Sequence, residues 1–189
     1  MKRIVFTVIV FFVALICCAQ EHLTFKGIPI TGSMVSFCQK LKAKGYTQIH
    51  QDRSITLFTG DFTGRKATIG VVAGDDGKNV FSVGVLFAAS EEWNTLVNTY
   101  EYYKDLYTRK YGSPANAIEN NPAYSDSNTA KMHKLYNGEV TWSCYWKVAG
   151  GEIEIKIEKS SGFYEGQVII VYRDSQNVEA KIERDLEDI

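Results

Sequence analysis

Nucleophilic or metal chemistry in this sequence would fall to its cysteines and histidines, of which there are four and three. A thiol–imidazole pair would need Cys38 or Cys144 to meet His50 or His133. Both thiols stand in stretches patterned as core. Cys38 lies beside Phe37 and Leu41, and Cys144 lies between Trp142 and Trp146. A nucleophile placed there is closed to substrate. Zinc is a poor fit too, because His22, His50 and His133 have no cysteine or carboxylate at ligand spacing. Asp75, Asp76 and Asn79 offer oxygens that suit calcium, but no twelve-residue ligand loop surrounds them, so a solvated hairpin tip is expected. Glu152, Glu154 and Glu158 alternate with isoleucines and read as the wet face of a strand, not as an acid–base pair for glycoside hydrolysis. No phosphate-binding Gly-rich loop, Gly-x-Ser-x-Gly elbow or His-Glu-x-x-His motif occurs. No metal or cofactor is expected.

The N-terminus reads as an export signal. Lys2 and Arg3 precede an apolar run, Ile4 to Ile16, interrupted only by Thr7. A run that short, followed by small residues, is a secretory leader and not a membrane span. Residues 1–19 form the expected signal peptide, with cleavage between Ala19 and Gln20. A second reading is an imperfect bacterial lipobox, Leu15-Ile16-Cys17-Cys18, with Cys18 carrying the lipid. The Ala19–Gln20 junction favours the soluble product; on either reading the chain reaches the periplasm or cell surface, and it meets membrane only through that lipid. Cleavage removes two of the 21 basic residues and none of the 22 acidic ones, leaving a net charge of −3. With no basic stripe to neutralise phosphates, nucleic acid is not an expected partner. Cys38 and Cys144 then remain as an even pair in an exported protein, which invites a disulfide. Free thiols behaving as small buried hydrophobes fit the same pattern.

Residues 20–189 are enough for one domain with a substantial core. The spacing predicts a first helix from about Ser33 to Lys44, with Met34, Phe37, Cys38 and Leu41 on one face and Gly45 ending it. Strands follow: one started by Ile55 and Leu57, one carrying Ala67, Ile69, Val71 and Ala73 on a face, and one carrying Phe81, Val83, Val85 and Phe87 on a face. A long helix is predicted over Ser90–Gly112. Its stripe is Trp93, Leu96, Val97, Tyr100, Tyr103, Tyr107 and Tyr111, and Ser90 is the expected N-cap. That stripe reads as packing on a sheet before it reads as an aromatic ligand platform. Residues 113–138 are the weakest stretch, rich in Asn and Ser, with a short helix around Asn128 to Leu135. The clearest strand follows: Val140, Trp142, Cys144, Trp146 and Val148 point one way, while Thr141, Ser143, Tyr145 and Lys147 point the other. Ile153, Ile155 and Ile157 mark the next strand, Val168 to Tyr172 another, and Val178, Ile182, Leu186 and Ile189 share one side of a final helix.

Meanders alternating with helices imply an α+β fold, an antiparallel sheet with about three helices on one face and two βββα-like halves. The Phe25-x-Gly27-Ile-Pro29 opening, the Gly60-x-Phe62-x-Gly64 turn and the Trp93…Lys110-Tyr-Gly-x-Pro114 helix end resemble a group of uncharacterised secreted proteins of Bacteroidetes. So do Trp146…Gly151-x-Ile153 and Val171-Tyr-x-Asp174. That resemblance carries no catalytic residue across. The layout of the halves also resembles beta-lactamase-inhibitor-like proteins, and layout does not fix function.

Two functional readings follow. One is a non-enzymatic binding protein of the bacterial cell envelope that takes a protein, peptide or glycan, with Thr141, Ser143 and Tyr145 as a candidate surface. The other is a hydrolase-type enzyme with a site assembled from dispersed residues. A contiguous exposed aromatic patch on the sheet or on residues 113–138 would favour binding. A deep pocket with convergent His, Cys or carboxylate groups would favour an enzyme.

Overall fold

Burial of every second residue along the strands produces one large sheet. The computed structural model describes residues 21–120, 126–187 and 189; the leader, the Ala19–Gln20 junction and Cys18 lie outside them. A short hairpin comes first, β1 (Thr24–Phe25) and β2 (Ile28–Pro29), followed by α1 (Met34–Ala43). Then come β3 (Thr47–Gln51), β4 (Ile55–Phe62), β5 (Arg65–Ala73), β6 (Val80–Leu86) and α2 (Trp93–Tyr111). The second half holds β7 (Asn116–Glu119), α3 (Asn128–Tyr136), β8 (Trp142–Val148), β9 (Gly151–Lys159), β10 (Gly166–Asp174) and α4 (Ser175–Glu187). The expectation of about three helices becomes four.

Strands β3 to β10 form one antiparallel sheet in the order β3-β4-β5-β6-β10-β9-β8-β7. Each half is a meander running from an outer edge to the centre, and the halves join where β6 pairs with β10, Val85 opposite Ile170. The unit is thus a helix followed by four strands, not three strands followed by a helix. The two strands missing from the sequence reading, β3 and β7, are the two edges.

Register carries one buried row across the sheet: Phe58, Ile69, Val85, Ile170, Ile155 and Cys144. Phe58, Ile69, Val85, Ile170 and Ile155 are fully buried. Covering that face, α1 contributes Met34, Phe37, Cys38 and Leu41, and α2 contributes Trp93, Leu96, Tyr100, Tyr103 and Tyr107. The predicted Tyr-rich stripe therefore packs on the sheet. Ser33 caps α1 through its side chain, as expected. The start of α2 differs from expectation. Ser90 bonds Glu92 N, while the Trp93 N–H is taken by the side chain of Asn128, from 35 residues further along.

The helix α4 lies along the end of the sheet where β10 finishes and β6 begins. Asp174 Oδ1 accepts from Asn177 N, and the Asn177 amide donates to Ile30 O and Val80 O. Only Asn177 of this helix is buried; Ile182 and Leu186 of its apolar stripe stay more than half exposed. No helix among the described residues is long and apolar enough to cross a membrane.

Candidate functional site

The groups suited to chemistry are scattered by this fold. Cys38, on the buried face of α1, is beside Thr56 of β4, and Cys144 on β8 is beside Tyr100. Strands β5, β6, β10 and β9 lie between β4 and β8. Five interstrand steps at about 4.8 Å each separate β4 from β8 by about 24 Å, against the roughly 7 Å that a disulfide allows between Cα atoms. Both cysteines are free and buried, so the disulfide expected from the even pair is not formed. Burial pushes the Cys144 thiol up to about 11, and the Tyr100 hydroxyl only partly opposes that. Neither thiol faces a histidine.

His22 is held in place: its Nδ1 lies 3.1 Å from both carboxylate oxygens of Asp174. Asp174 is fully buried and also accepts from Leu23 N at 2.8 Å. Its oxygens are thus used in tying the N-terminal segment to β10 and α4. His50 is on edge strand β3, 3.9 Å from Asp52 at the surface. Asp76 accepts from Lys78 N and faces Lys78 and Arg184, while Asn79 donates to Asn177. The hairpin oxygens therefore serve the turn. Among the described residues no group of three or more His, Cys, Asp or Glu is placed to hold a metal.

The sheet's second face carries the predicted surface. Ser143 and Tyr145 sit there half-buried, opposite Lys156 and Glu154, and Thr141 is exposed just before β8. Their neighbours pair with one another: Arg173 with Glu152 and Glu154, and Lys156 with Glu158. This is a solvated ladder whose charges are already matched.

A different surface presents unmatched apolar area. The loop of residues 160–165 between β9 and β10 is closed by Ser160 N to Glu165 O, 2.9 Å, and by Gly162 N to Ser160 Oγ, 3.1 Å. It pushes Phe163 out to 73% exposure. Tyr164 beside it holds a left-handed φ of 54°, a conformation that costs an aromatic residue about 1 kcal/mol or more. Tyr136, at the end of α3, meets Tyr164 edge-on at 5.1 Å and Phe163 at 5.9 Å. His133, one helical turn earlier, lies 5.6 Å from Tyr164, and the Lys159 ammonium sits over the Tyr136 ring. A depression of about 380 Å³ adjoins the cluster, with Glu91, Glu92 and Asn128 on its far side. Nothing in residues 160–166 themselves signals that α3 arrives beside them.

A second concavity opens on the helix side, between the β1–β2 hairpin and the later turns of α2, floored by Phe62 and Tyr172. There the hydroxyls of Tyr107 and Tyr172 bond each other, and Tyr103 bonds Thr63 Oγ1 at 2.8 Å. Burial raises the pKa of all three phenols above the ordinary tyrosine range.

The fold and its surfaces define an α+β protein built from two helix-plus-four-strand halves. Compared with family models, curated protein sequences and solved structures, the chain matches none.

Proposed function

We propose that this chain is a non-enzymatic binding protein of the bacterial cell envelope, exported by its N-terminal leader, and that it holds a protein, peptide or glycan through the Tyr136–Phe163–Tyr164 cluster. The observation that carries this reading is the outward display of Phe163, with Tyr164 on the same loop and Tyr136 from the end of α3, where the loop is held by its own hydrogen bonds. Exposed aromatics on a preorganised loop are what interfaces use as anchors, since they bring large contact area at low ordering cost. The strained Tyr164 backbone supports the same reading, because such conformations collect at functional positions.

The test starts from crosslinking and mass spectrometry in the native envelope, followed by affinity measurement with the captured partner. Phe163→Ala with Tyr136→Ala should weaken that partner at least about tenfold, the scale of interface anchors, while leaving thermal unfolding nearly unchanged. Equal affinity in the double variant would refute the assignment.

A further inference from the structure

The concavity beside α2 is separate from the aromatic cluster and has its own chemistry. It encloses about 400 Å³, within the range of small-molecule sites. Its walls are rings: Phe62, Tyr103, Tyr107, Tyr111 and Tyr172. Among the described residues its charged lining groups are two ammoniums, Lys26 and Lys110, in a chain whose net charge is negative. Lys26 reaches over the Phe62 ring, 4.8 Å to the centroid, and Lys110 over Tyr111 at 4.9 Å. Among the described residues neither is paired with a carboxylate. Asp61 lies in the adjoining depression with Lys26 and Lys44; its carboxylate accepts from Gly64 N at 2.9 Å. Arg65 on the same turn lies over Tyr102.

The cavity exists because two layers fail to meet. The β1–β2 turn, Lys26 and Gly27, is left-handed at φ 51° and 74°, and it stops short of α2. The gap is floored by Phe62 and Tyr172, both buried and packed against the Phe25 ring. The site is thus formed in advance, apolar within and cationic at the rim.

We propose that this cavity binds a small anion with an apolar, ring-bearing body, of the aryl carboxylate class. The ring lies against Leu106 and Tyr111, the lining apolar groups that are part exposed, and the anionic group is taken by Lys26 and Lys110. A neutral sugar fits less well, since the lining offers no carboxylate or carboxamide side chain to read its hydroxyls.

The test is calorimetric titration of the purified protein at low ionic strength with 2-naphthoate and with its uncharged counterpart, 2-naphthamide. Naphthoate should bind about tenfold more tightly, and the advantage should shrink with added salt, as expected for two rim ion pairs. Lys26→Gln with Lys110→Gln should bring the two probes within about twofold of one another, since both substitutions lie at the surface and remove only charge. Leu106→Trp, which fills the cavity, should remove binding of both. Three results would overturn the proposal: equal binding of the two probes, a charge preference that survives in the double lysine variant, or no saturable binding of either probe. Displacement of naphthoate by maltotriose would overturn it as well. None of these results bears on the Tyr136–Phe163–Tyr164 cluster.

Discussion

Trp142 and Trp146 lie four residues apart on the same buried face of β8, yet replacing each by phenylalanine should have different costs. Trp146 is 2% exposed, and its indole N–H donates to Gly112 O at 2.8 Å, securing the end of α2 to the sheet. Trp142 is 7% exposed and packs edge-on against Trp93 and Tyr100, but its N–H is buried without a partner among the described residues. Both substitutions lose the same atoms from a packed site. Trp146→Phe also loses a satisfied hydrogen bond, worth about 1 kcal/mol, whereas Trp142→Phe removes an unsatisfied donor whose burial costs about 1–3 kcal/mol. Trp146→Phe should therefore be the more destabilising by about 2 kcal/mol, roughly 4–8 °C in thermal midpoint for a domain of this size. Replacing either by alanine should cost about 3–5 kcal/mol, because a large cavity then opens. Paired urea and thermal unfolding of the four variants measures this. An equal or larger loss in Trp142→Phe would refute the hydrogen-bond reasoning.

Cys38 and Cys144 should resist thiol reagents in the native protein and react together in denaturant. For Cys144, pushed up to about 11, only about one thiol in a thousand is ionised at pH 8; rapid native labelling would contradict its burial. Asp174→Ala should lower stability by about 3 kcal/mol or more, since it leaves the N–H groups of Leu23 and Asn177 without their acceptor, and a thermal shift below about 2 °C would count against that role. The Asp52 carboxyl is held below its ordinary range by the N–H groups of Ile55 and Ser54, and Asp76 by that of Lys78. A carboxyl depressed on folding contributes above its unfolded pKa and loses that contribution as pH falls. The stability gap between wild type and Asp52→Asn should therefore be constant above about pH 5 and close below pH 4; a gap that widens in acid would reverse the sign.

What the sequence disclosed depended on whether a residue's burial is set locally. Strand β8 was plain because Trp142, Cys144 and Trp146 alternate with Ser143, Tyr145 and Lys147, one face buried and one wet. The edges were not. All four residues of β7 are exposed, and β3 is nearly so, which leaves no alternation to read. Helix α1 was legible through its own cap, Ser33, while α2 starts where a distant Asn128 supplies the acceptor. The same limit governs the surfaces. Phe163 and Tyr136 are 27 positions apart, and only the pairing of β9 with β10 and the docking of α3 bring them together. The stripe on α2 was read correctly as packing, yet its later turns also wall a cavity, because Lys26 and Gly27 arrive opposite them from the first hairpin.

The central claim, that the Tyr136–Phe163–Tyr164 cluster is the face that meets a partner, is tested most directly by photo-crosslinking in the native envelope from residue 163. Tyr102, 42% exposed on the outer side of α2, serves as the control position. A discrete adduct is expected from position 163 and none from position 102. Adducts from position 102 alone, or the same adducts from both, would contradict it.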